Sequence, residues 1–327
     1  MRSEVYKILN LEDRFKEVGD GKSNKGNKST LDDIVRAPGS GISGDLIAHQ
    51  QGMYCLNQGN GDFIVVGSAK ENPGYFYTIK DNKGYCGNGD KKYWTIDDVM
   101  THPGGIQVAE SLLVIGNEQY NGAETRTDRS NIRFYDISDE DNVSELKHLK
   151  IERRGDGMIS SAIGLTKLGE QWIMAIRGKR TMDFYSMKGD PTNSANKFEE
   201  LSSIDLKAND MKDFQCANLF IGTTDSDDKI YLIGMPDGST NSDECWLYLL
   251  NTNKNDQGKI TSIISATQLV HKHFYRNGDG PRFKWASCAC FIPSNGAGST
   301  GATDGKFRIY SASAHVDDKK IRCNWWE

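Results

Sequence analysis

The chain has 327 residues, of which 37% are hydrophobic and 26% charged, and these proportions are typical of a globular protein rather than a disordered one. Its 45 acidic residues exceed its 40 basic residues by five, which argues against a broad nucleic-acid-binding or anionic-membrane-binding face. The length allows one large domain.

The N-terminal residues, Met1 to Lys7, lack the apolar stretch of a secretory signal. No later run approaches the ~18 apolar residues of a membrane span. We therefore expect a cytoplasmic protein without membrane insertion, although a secreted protein whose leader has been trimmed would begin in the same way. Six of the seven cysteines lie in strand-like runs, which predicts buried free thiols in a reduced compartment.

Short strand-like runs fill the chain, and they are too short and too rich in β-branched and aromatic residues to be typical helices. In chain order these apolar runs are 63–67, 112–116, 172–176, 230–234 and 307–311. Each is followed by a polar loop and an aromatic strand, at 75–79, 133–137, 183–187, 246–250 and 323–326. A strand rich in Gly, Ala, Ser and Cys precedes each pair, at 49–56, 102–109, 159–166, 214–221 and 284–292.

The aromatic strands recur at intervals of 58, 50, 63 and 77 residues, measured from Tyr77 through Tyr135, Tyr185 and Tyr248 to Trp325. A recurring strand unit at such intervals indicates a radial β repeat. A fourth strand follows in four of the units, near 92–97, 145–153, 198–206 and 260–270. Four strands make one propeller blade. The sequence therefore predicts an all-β fold, a single five-bladed β-propeller that is monomeric.

The fifth unit reaches the end of the chain after its third strand. The N-terminal segment 4–11 is strand-like and is expected to supply the missing outer strand, which would close the ring and remove a frayed edge. One domain then spans 1–327, with 1–11 as the closing outer strand, 12–43 as a loop-rich crossing and 44–327 as the blades.

In a propeller, the starts of the first strands and the ends of the second strands meet around one channel mouth. Polar, chemically versatile side chains occupy these positions, and concave sites with a few convergent polar groups are typical of ligand binding. The predicted ligand-binding residues are His49, Gln51, His102, Gln107, Glu118, Arg177, Gln215, Trp285 and His315. The competing interpretation is that these groups only solvate the channel axis and satisfy backbone groups.

A divalent metal is a second hypothesis for the same mouth. Neutral imidazoles suit zinc, iron or manganese, so His49, His102 and His315 are the candidate ligands, with Glu118 beside them. The sequence contains no local spacing that fixes such a site.

Two inner-strand openings, His49-Gln50-Gln51-Gly52 and His102-Pro103-Gly104-Gly105-Ile106-Gln107, together with the strand Phe134-Tyr135-Asp136, resemble uncharacterised bacterial β-propeller proteins. The resemblance extends loosely from about residue 45 to the end. It implies a propeller and brings no activity with it. More distantly, five blades are similar to tachylectin-type lectins and five-bladed glycoside hydrolases, a likeness of fold alone.

Two functions follow from these patterns. The main hypothesis is non-catalytic, lectin-like binding of a small polar ligand, such as a glycan, or of a protein partner at the channel mouth. The alternative is a small-molecule enzyme, metal-assisted or hydrolytic, that uses the His-containing starts of the first two inner strands. Because only two of five openings carry a histidine, the pattern favours one composite site over a repeated one.

Overall fold

The computed structural model describes residues 4–19, 29–31, 49–56, 62–68, 74–79, 93–97, 100, 102–121, 124–139, 142–160, 162–224, 227–236, 242–275, 283, 286–294, 302–312 and 321–327. Within these residues the chain forms 23 β-strands, one α-helix and one turn of 3-10 helix at Lys147–Leu149. The all-β prediction is therefore confirmed. No helix in the described ranges is long and apolar enough to span a bilayer.

The first elements are β1 (Lys7–Leu9), α1 (Leu11–Glu17) and β2 (Ser29–Leu31). Two sheets follow in chain order. The first contains β3 (His49–Leu56), β4 (Asp62–Ser68), β5 (Gly74–Ile79) and β6 (Tyr93–Asp97). The second contains β7 (His102–Ala109), β8 (Leu112–Asn121), β9 (Glu124–Asp136), β10 (Ser144–Glu145) and β11 (Ile151–Arg154).

Three further sheets complete the molecule. The third contains β12 (Ile163–Leu168), β13 (Gln171–Arg177), β14 (Thr181–Lys188) and β15 (Glu199–Asp205). The fourth is built on β16 (Phe214–Thr224), β17 (Asp227–Pro236), β18 (Ser242–Lys254) and β19 (Ile260–Tyr275). The fifth contains β20 (Ala286–Pro293), β22 (Gly305–Ala312) and β23 (Ile321–Trp326), with β2 at its edge, while β21 (Ala302–Thr303) pairs elsewhere.

The sheets have a propeller arrangement. Each of the first four sheets contains an antiparallel meander of consecutive strands, as in sequential blades, and the fourth sheet also takes in β1 and β21 through parallel pairing. The fifth sheet joins β2 to strands from the other end of the chain. The first strand of each sheet lines a common central cavity of about 30 Å³, through Tyr54, Gln107, Leu165, Leu219 and Cys290. This volume is about that of one water molecule, so the channel is nearly filled at this level.

The N-terminal segment accounts for this filling. Glu4, Val5 and Tyr6 line the same central cavity, and β1 then pairs in parallel with β16 and with β21. The prediction that residues 1–11 form the closing outer strand is therefore wrong. β2 occupies that position instead, antiparallel to β23. Ile8, fully buried among apolar residues, explains the difference, because an outer strand would leave one of its faces in water.

Apolar cores lie between neighbouring sheets, as expected when blades pack face to face. Phe76 of β5 packs on Tyr135 of β9 with ring centroids 4.8 Å apart, and Phe63 of β4 packs on Tyr310 of β22 at 5.0 Å. Such edge-to-face pairs add to the burial of the rings. The prediction that aromatic residues pack between blades holds for these pairs.

The segment 12–43 is less loop-like than predicted. Residues Leu11–Glu17 form α1, because Leu11 and Phe15 lie one turn apart on a single buried face. Phe15 contacts Phe307 of β22 edge-on, with centroids 6.0 Å apart. Helix α1 therefore covers one end of the fourth and fifth sheets rather than forming a loose crossing.

Candidate functional site

The inner strands that begin at the channel mouth carry β-bulges near their first residues. The register shifts between Gln50 and Gly52 in β3, between Pro103 and Ile106 in β7, and between Phe214 and Cys216 in β16. A bulge bends its strand and redirects the neighbouring side chains, and bulges are frequent beside active sites. Among the predicted polar residues, Gln51 and Gln215 lie within these bulges and His102 lies next to one.

His102 and Glu118 are direct cross-strand partners at the open ends of β7 and β8. Nδ1 of His102 lies 3.8 Å from Oε2 of Glu118. The Glu118 side chain is 3% exposed, whereas that of His102 is 24% exposed. The imidazole therefore lies between a buried carboxyl group and the solvent.

Glu118 is held from the neighbouring sheet by a backbone hydrogen bond. The amide of Ser160 donates to Oε1 of Glu118 over 2.7 Å. The strands can approach this closely because residue 116 is glycine, where a Cβ atom would lie 2.2 Å from the carbonyl oxygen of Ser160. The sequence at 116–118 thus places a carboxyl group against the start of the third sheet.

Burial dominates the protonation of this carboxyl group. Desolvation raises the pKa of Glu118 from 4.5 to about 7, against the hydrogen bond from Ser160 and the positive charges of Arg177 and Arg153, which lower it. Glu118 therefore exchanges its proton near neutral pH. A carboxyl group with such a pKa can give or take a proton under the conditions in which most enzymes work.

Arg177, at the end of β13, provides the positive charge of the mouth. Its side chain is 7% exposed and forms an ion pair with Asp213, whose side chain is 70% exposed. Burial lowers the pKa of the Arg177 guanidinium, while the charges of Asp213 and Glu118 raise it. An arginine remains cationic at neutral pH under these opposing influences.

A cleft of about 440 Å³ opens beside this ion pair. It is lined by five cationic side chains and three aspartates, together with two apolar residues: Arg177, Lys179, Arg180, Lys207 and Lys212; Asp205, Asp210 and Asp213; Leu206 and Met211. Its formal charge is 5 − 3 = +2, although the whole chain carries −5. The cleft therefore attracts anionic groups.

Gln107 does not belong to the mouth, although the sequence predicted it there. It is buried within β7, where its Oε1 accepts hydrogen bonds from the amides of Leu165 and Leu219, and its Nε2 donates to the carbonyl oxygen of Leu219. These bonds tie three inner strands together. For Gln107 the interpretation that polar channel residues satisfy the backbone is the one its contacts support.

The other predicted residues are only partly described. Gln51 is buried at the bulge of β3, and Gln215 is half-buried at the bulge of β16. The side chains of His49, Trp285 and His315 lie outside the described residues, as do the backbones of the last two. The predicted metal site of His49, His102 and His315 therefore stays a prediction. His102, Glu118 and Arg177 are the predicted residues that the structure brings together.

Sequence reasoning missed three contributors to the site: Ser160, Arg153 and Asp213. Asp213 stands directly before β16, and its position beside a strand start is the signal that could have identified it. Arg153 is buried, donates to the carbonyl oxygen of Ile159 and forms an ion pair with Asp183. It lies on β11, whereas the predicted site residues come from the first and second strands of the units.

Comparisons with known proteins show a similarity of fold alone. No family model and no curated protein matches the chain. Similar solved structures include a GH43 endo-arabinanase from Bacillus licheniformis, with a TM-score of 0.42 and 10% identity over 85% of this chain and 93% of that one. A glycosyl hydrolase from Bacteroides ovatus has a TM-score of 0.37 and 11% identity over 84% of each chain.

A third similar structure is a bifunctional GH43-CE protein from Bacteroides eggerthii, with a TM-score of 0.42 and 8% identity. It matches 92% of this chain, which spans only 33% of that protein. These neighbours are named as glycoside hydrolases and not as lectins, which goes against the main hypothesis of a non-catalytic, lectin-like module, and at this level of similarity they assign no activity to this chain. The likeness concerns the fold, and the chemistry has to be argued from the residues of this chain.

Proposed function

We propose that the chain is a hydrolase whose catalytic site lies at the channel mouth around His102 and Glu118. The observation that carries the proposal is the buried Glu118 carboxyl group, with its pKa raised to about 7, beside the partly exposed imidazole of His102. Titratable groups with strongly perturbed pKa values are enriched at catalytic sites.

His102 is the residue that would contact the substrate. Its Nδ1 faces Glu118 and its side chain is 24% exposed, so the ring lies within reach of both the buried carboxyl group and solvent. The separation of 3.8 Å is longer than a hydrogen bond, and catalytic hydrogen bonds are often long before substrate binds. Glu118 would orient the ring and stabilise its charged form, and is therefore a positioning residue.

The proposed step is hydrolysis with His102 as general base and then general acid. The imidazole takes a proton from a water molecule while the water oxygen bonds to the electrophilic atom of the substrate. The bond to the leaving group breaks, and the proton on His102 passes to the leaving group. Arg177, buried beside Glu118, would stabilise the negative charge that develops on the substrate, because a fixed charge acts strongly in a site that excludes water.

The cleft beside Arg177 indicates the substrate class. Its formal charge of +2 favours a carboxylate or phosphate on the substrate, and its many N–H donors suit hydroxyl groups. We therefore propose a small, hydroxyl-rich molecule with an acidic group, such as an acidic glycan fragment.

Five blades and a monomeric state belong to the same proposal. Support for five blades comes from the central cavity, which is lined by one strand from each of five sheets. A composite site of this kind needs no second chain, because His102, Glu118 and Arg177 come from neighbouring sheets of one chain.

The experiment measures hydrolysis of paired chromogenic substrates that share one leaving group, 4-nitrophenyl β-glucoside and 4-nitrophenyl β-glucuronide, with 4-nitrophenyl acetate as a general probe. We expect faster turnover of the acidic member, and a loss of about 100-fold or more in kcat for His102→Ala and Glu118→Gln. Glu145→Gln is the matched control, since Glu145 pairs with Arg133 on outer strands. Absence of turnover on all three substrates, or equal turnover by the variants and the control, would contradict the proposal.

A further inference from the structure

A second group of metal-ligating side chains lies away from the channel mouth, on the outer strands β18 and β19. Glu244 and His273 are cross-strand partners, and His271 stands two residues before His273 on the same strand. Residues i and i+2 of a strand point to the same face, so these three side chains share one face of the sheet. We infer that Glu244, His271 and His273 form a binding site for a divalent late transition metal ion, with Zn²⁺ as the expected ion.

The donor atoms are already close together. Nε2 of His271 lies 3.6 Å from Oε2 of Glu244, and Nδ1 of His273 lies 3.7 Å from Oε1 of Glu244. One donor atom from each residue can be chosen so that all three lie within 4.8 Å of one another. Donors on one zinc ion are separated by no more than about 4.2 Å, because each bond is about 2.1 Å long. Closing the site therefore needs side-chain movements of about 1 Å.

Two contacts fix the positions of the histidines. Trp246, the cross-strand partner of His271, stacks on the His271 ring with centroids 3.7 Å apart and planes 15° apart. Lys272 points to the opposite face, where its Nζ donates to the backbone carbonyl oxygens of Lys16 and Val18 at the end of α1. With Lys272 anchored on one side, His271 and His273 are held on the other side, facing solvent.

The donor set determines the class of ion. Two imidazoles and one carboxylate match the zinc sites that have three protein ligands, in which water occupies the fourth position. Hard cations such as Mg²⁺ and Ca²⁺ prefer sites made of oxygen ligands. Glu244 also supplies the negative charge that offsets Lys212, whose Nζ lies 4.9 Å from the centroid of the Trp246 ring.

The site has a structural consequence for the sheet. β19 is the edge strand of the fourth sheet and is hydrogen-bonded to β18 through the backbone. A bound ion would add a second connection between the two strands, through their side chains. Since the ion binds the folded chain, it should raise the melting temperature in a concentration-dependent way.

The test uses the full chain, stripped of metal with a chelator, and Zn²⁺ alone as the probe, with affinity measured by competition against a chromophoric chelator. We expect binding that His273→Ala weakens by about 100-fold or more, with a parallel loss of the Zn²⁺-dependent rise in melting temperature. His273 is the first choice for substitution because its side chain is 50% exposed, so its removal should leave the metal-free melting temperature unchanged.

His148→Ala is the matched control, since His148 lies in the 3-10 helix Lys147–Leu149 and contacts the carbonyl oxygen of Pro191 in the turn between β14 and β15. His102→Ala tests whether Zn²⁺ binds at the channel mouth instead. Unchanged Zn²⁺ affinity in His273→Ala, or loss of the binding in His102→Ala, would overturn the proposal, the latter by placing the ion at the mouth. The hydrolysis assay is independent of this outcome, because the two sites share no residue.

Discussion

Nδ1 of His102 lies 3.8 Å from Oε2 of Glu118, across the first residue pair of β7 and β8. The His102 side chain is partly exposed to solvent, whereas the Glu118 side chain is buried. Burial raises the pKa of Glu118, and His102 connects this carboxyl group to the channel mouth. The proposed chemistry depends on this difference in exposure between two neighbouring side chains.

The ionisation of Glu118 should make the protein less stable as the pH rises. Because the pKa of Glu118 is raised on folding from 4.5 to about 7, its stabilising contribution is present below pH 4.5 and is lost as the pH rises through 7. This shift corresponds to about 3 kcal/mol in the free energy of unfolding. Urea unfolding across this range should show the loss in the wild-type protein and not in Glu118→Gln. Equal pH dependence in both proteins would show that Glu118 keeps an ordinary pKa.

Gly116→Ala should separate the second and third sheets at the site. The new methyl group would lie 2.2 Å from the carbonyl oxygen of Ser160, a distance that only backbone movement can relieve. We expect a loss of about 1–3 kcal/mol in unfolding free energy. The hydrogen bond from Ser160 to Glu118 would weaken as well, which should raise the pKa of Glu118 further. A variant with wild-type stability would mean that the two strands are not this close.

The N-terminal strand should contribute to stability through Ile8. This side chain is fully buried, so Ile8→Ala should cost about 2–4 kcal/mol in chemical denaturation. Ile264→Ala is the matched control, because Ile264 is 56% exposed and its truncation should change stability by less than about 0.5 kcal/mol. If both variants were equally stable, β1 would not be seated beside β16.

The cysteines should be free and unreactive in the native protein. Cys55, Cys216, Cys245, Cys288 and Cys290 are buried free thiols, and burial raises the pKa of Cys216 and Cys245. Thiol titration should therefore detect no more than two of the seven cysteines before denaturation and all seven afterwards. Fewer than seven thiols in denaturant would reveal a disulfide and would count against the cytoplasmic location that the sequence predicts.

The strands could be predicted from the sequence where local pattern determines them. The predicted inner strands 49–56 and 102–109 coincide with β3 and β7, because apolar residues after a His-containing start fix both the strand and its first residue. The third inner strand was predicted from residue 159 and begins at Ile163. The backbone at Ser160 instead bonds to Glu118, a contact between distant residues that no local pattern contains.

The pairing of β1 could not be predicted for a similar reason. Residues 7–9 have a strand-like pattern, but the pattern does not say which strand is the partner. The mouth shows the same limit. Blade geometry predicted that His102 and Glu118 lie together, and they are cross-strand partners, whereas the depth of Gln107 depends on the register of three sheets. Long-range register therefore decides which polar residues face solvent and which bind backbone.

The central claim is that Glu118 titrates near neutral pH, and infrared difference spectroscopy of the carboxylic acid C=O stretch tests it most directly. Spectra of the wild-type protein and Glu118→Gln would be compared from pH about 3 to about 9. We predict a buried carboxylic acid band that is missing from Glu118→Gln and disappears with a midpoint at about 7. A midpoint near the ordinary value of 4.5, or a band that Glu118→Gln retains, would contradict the account.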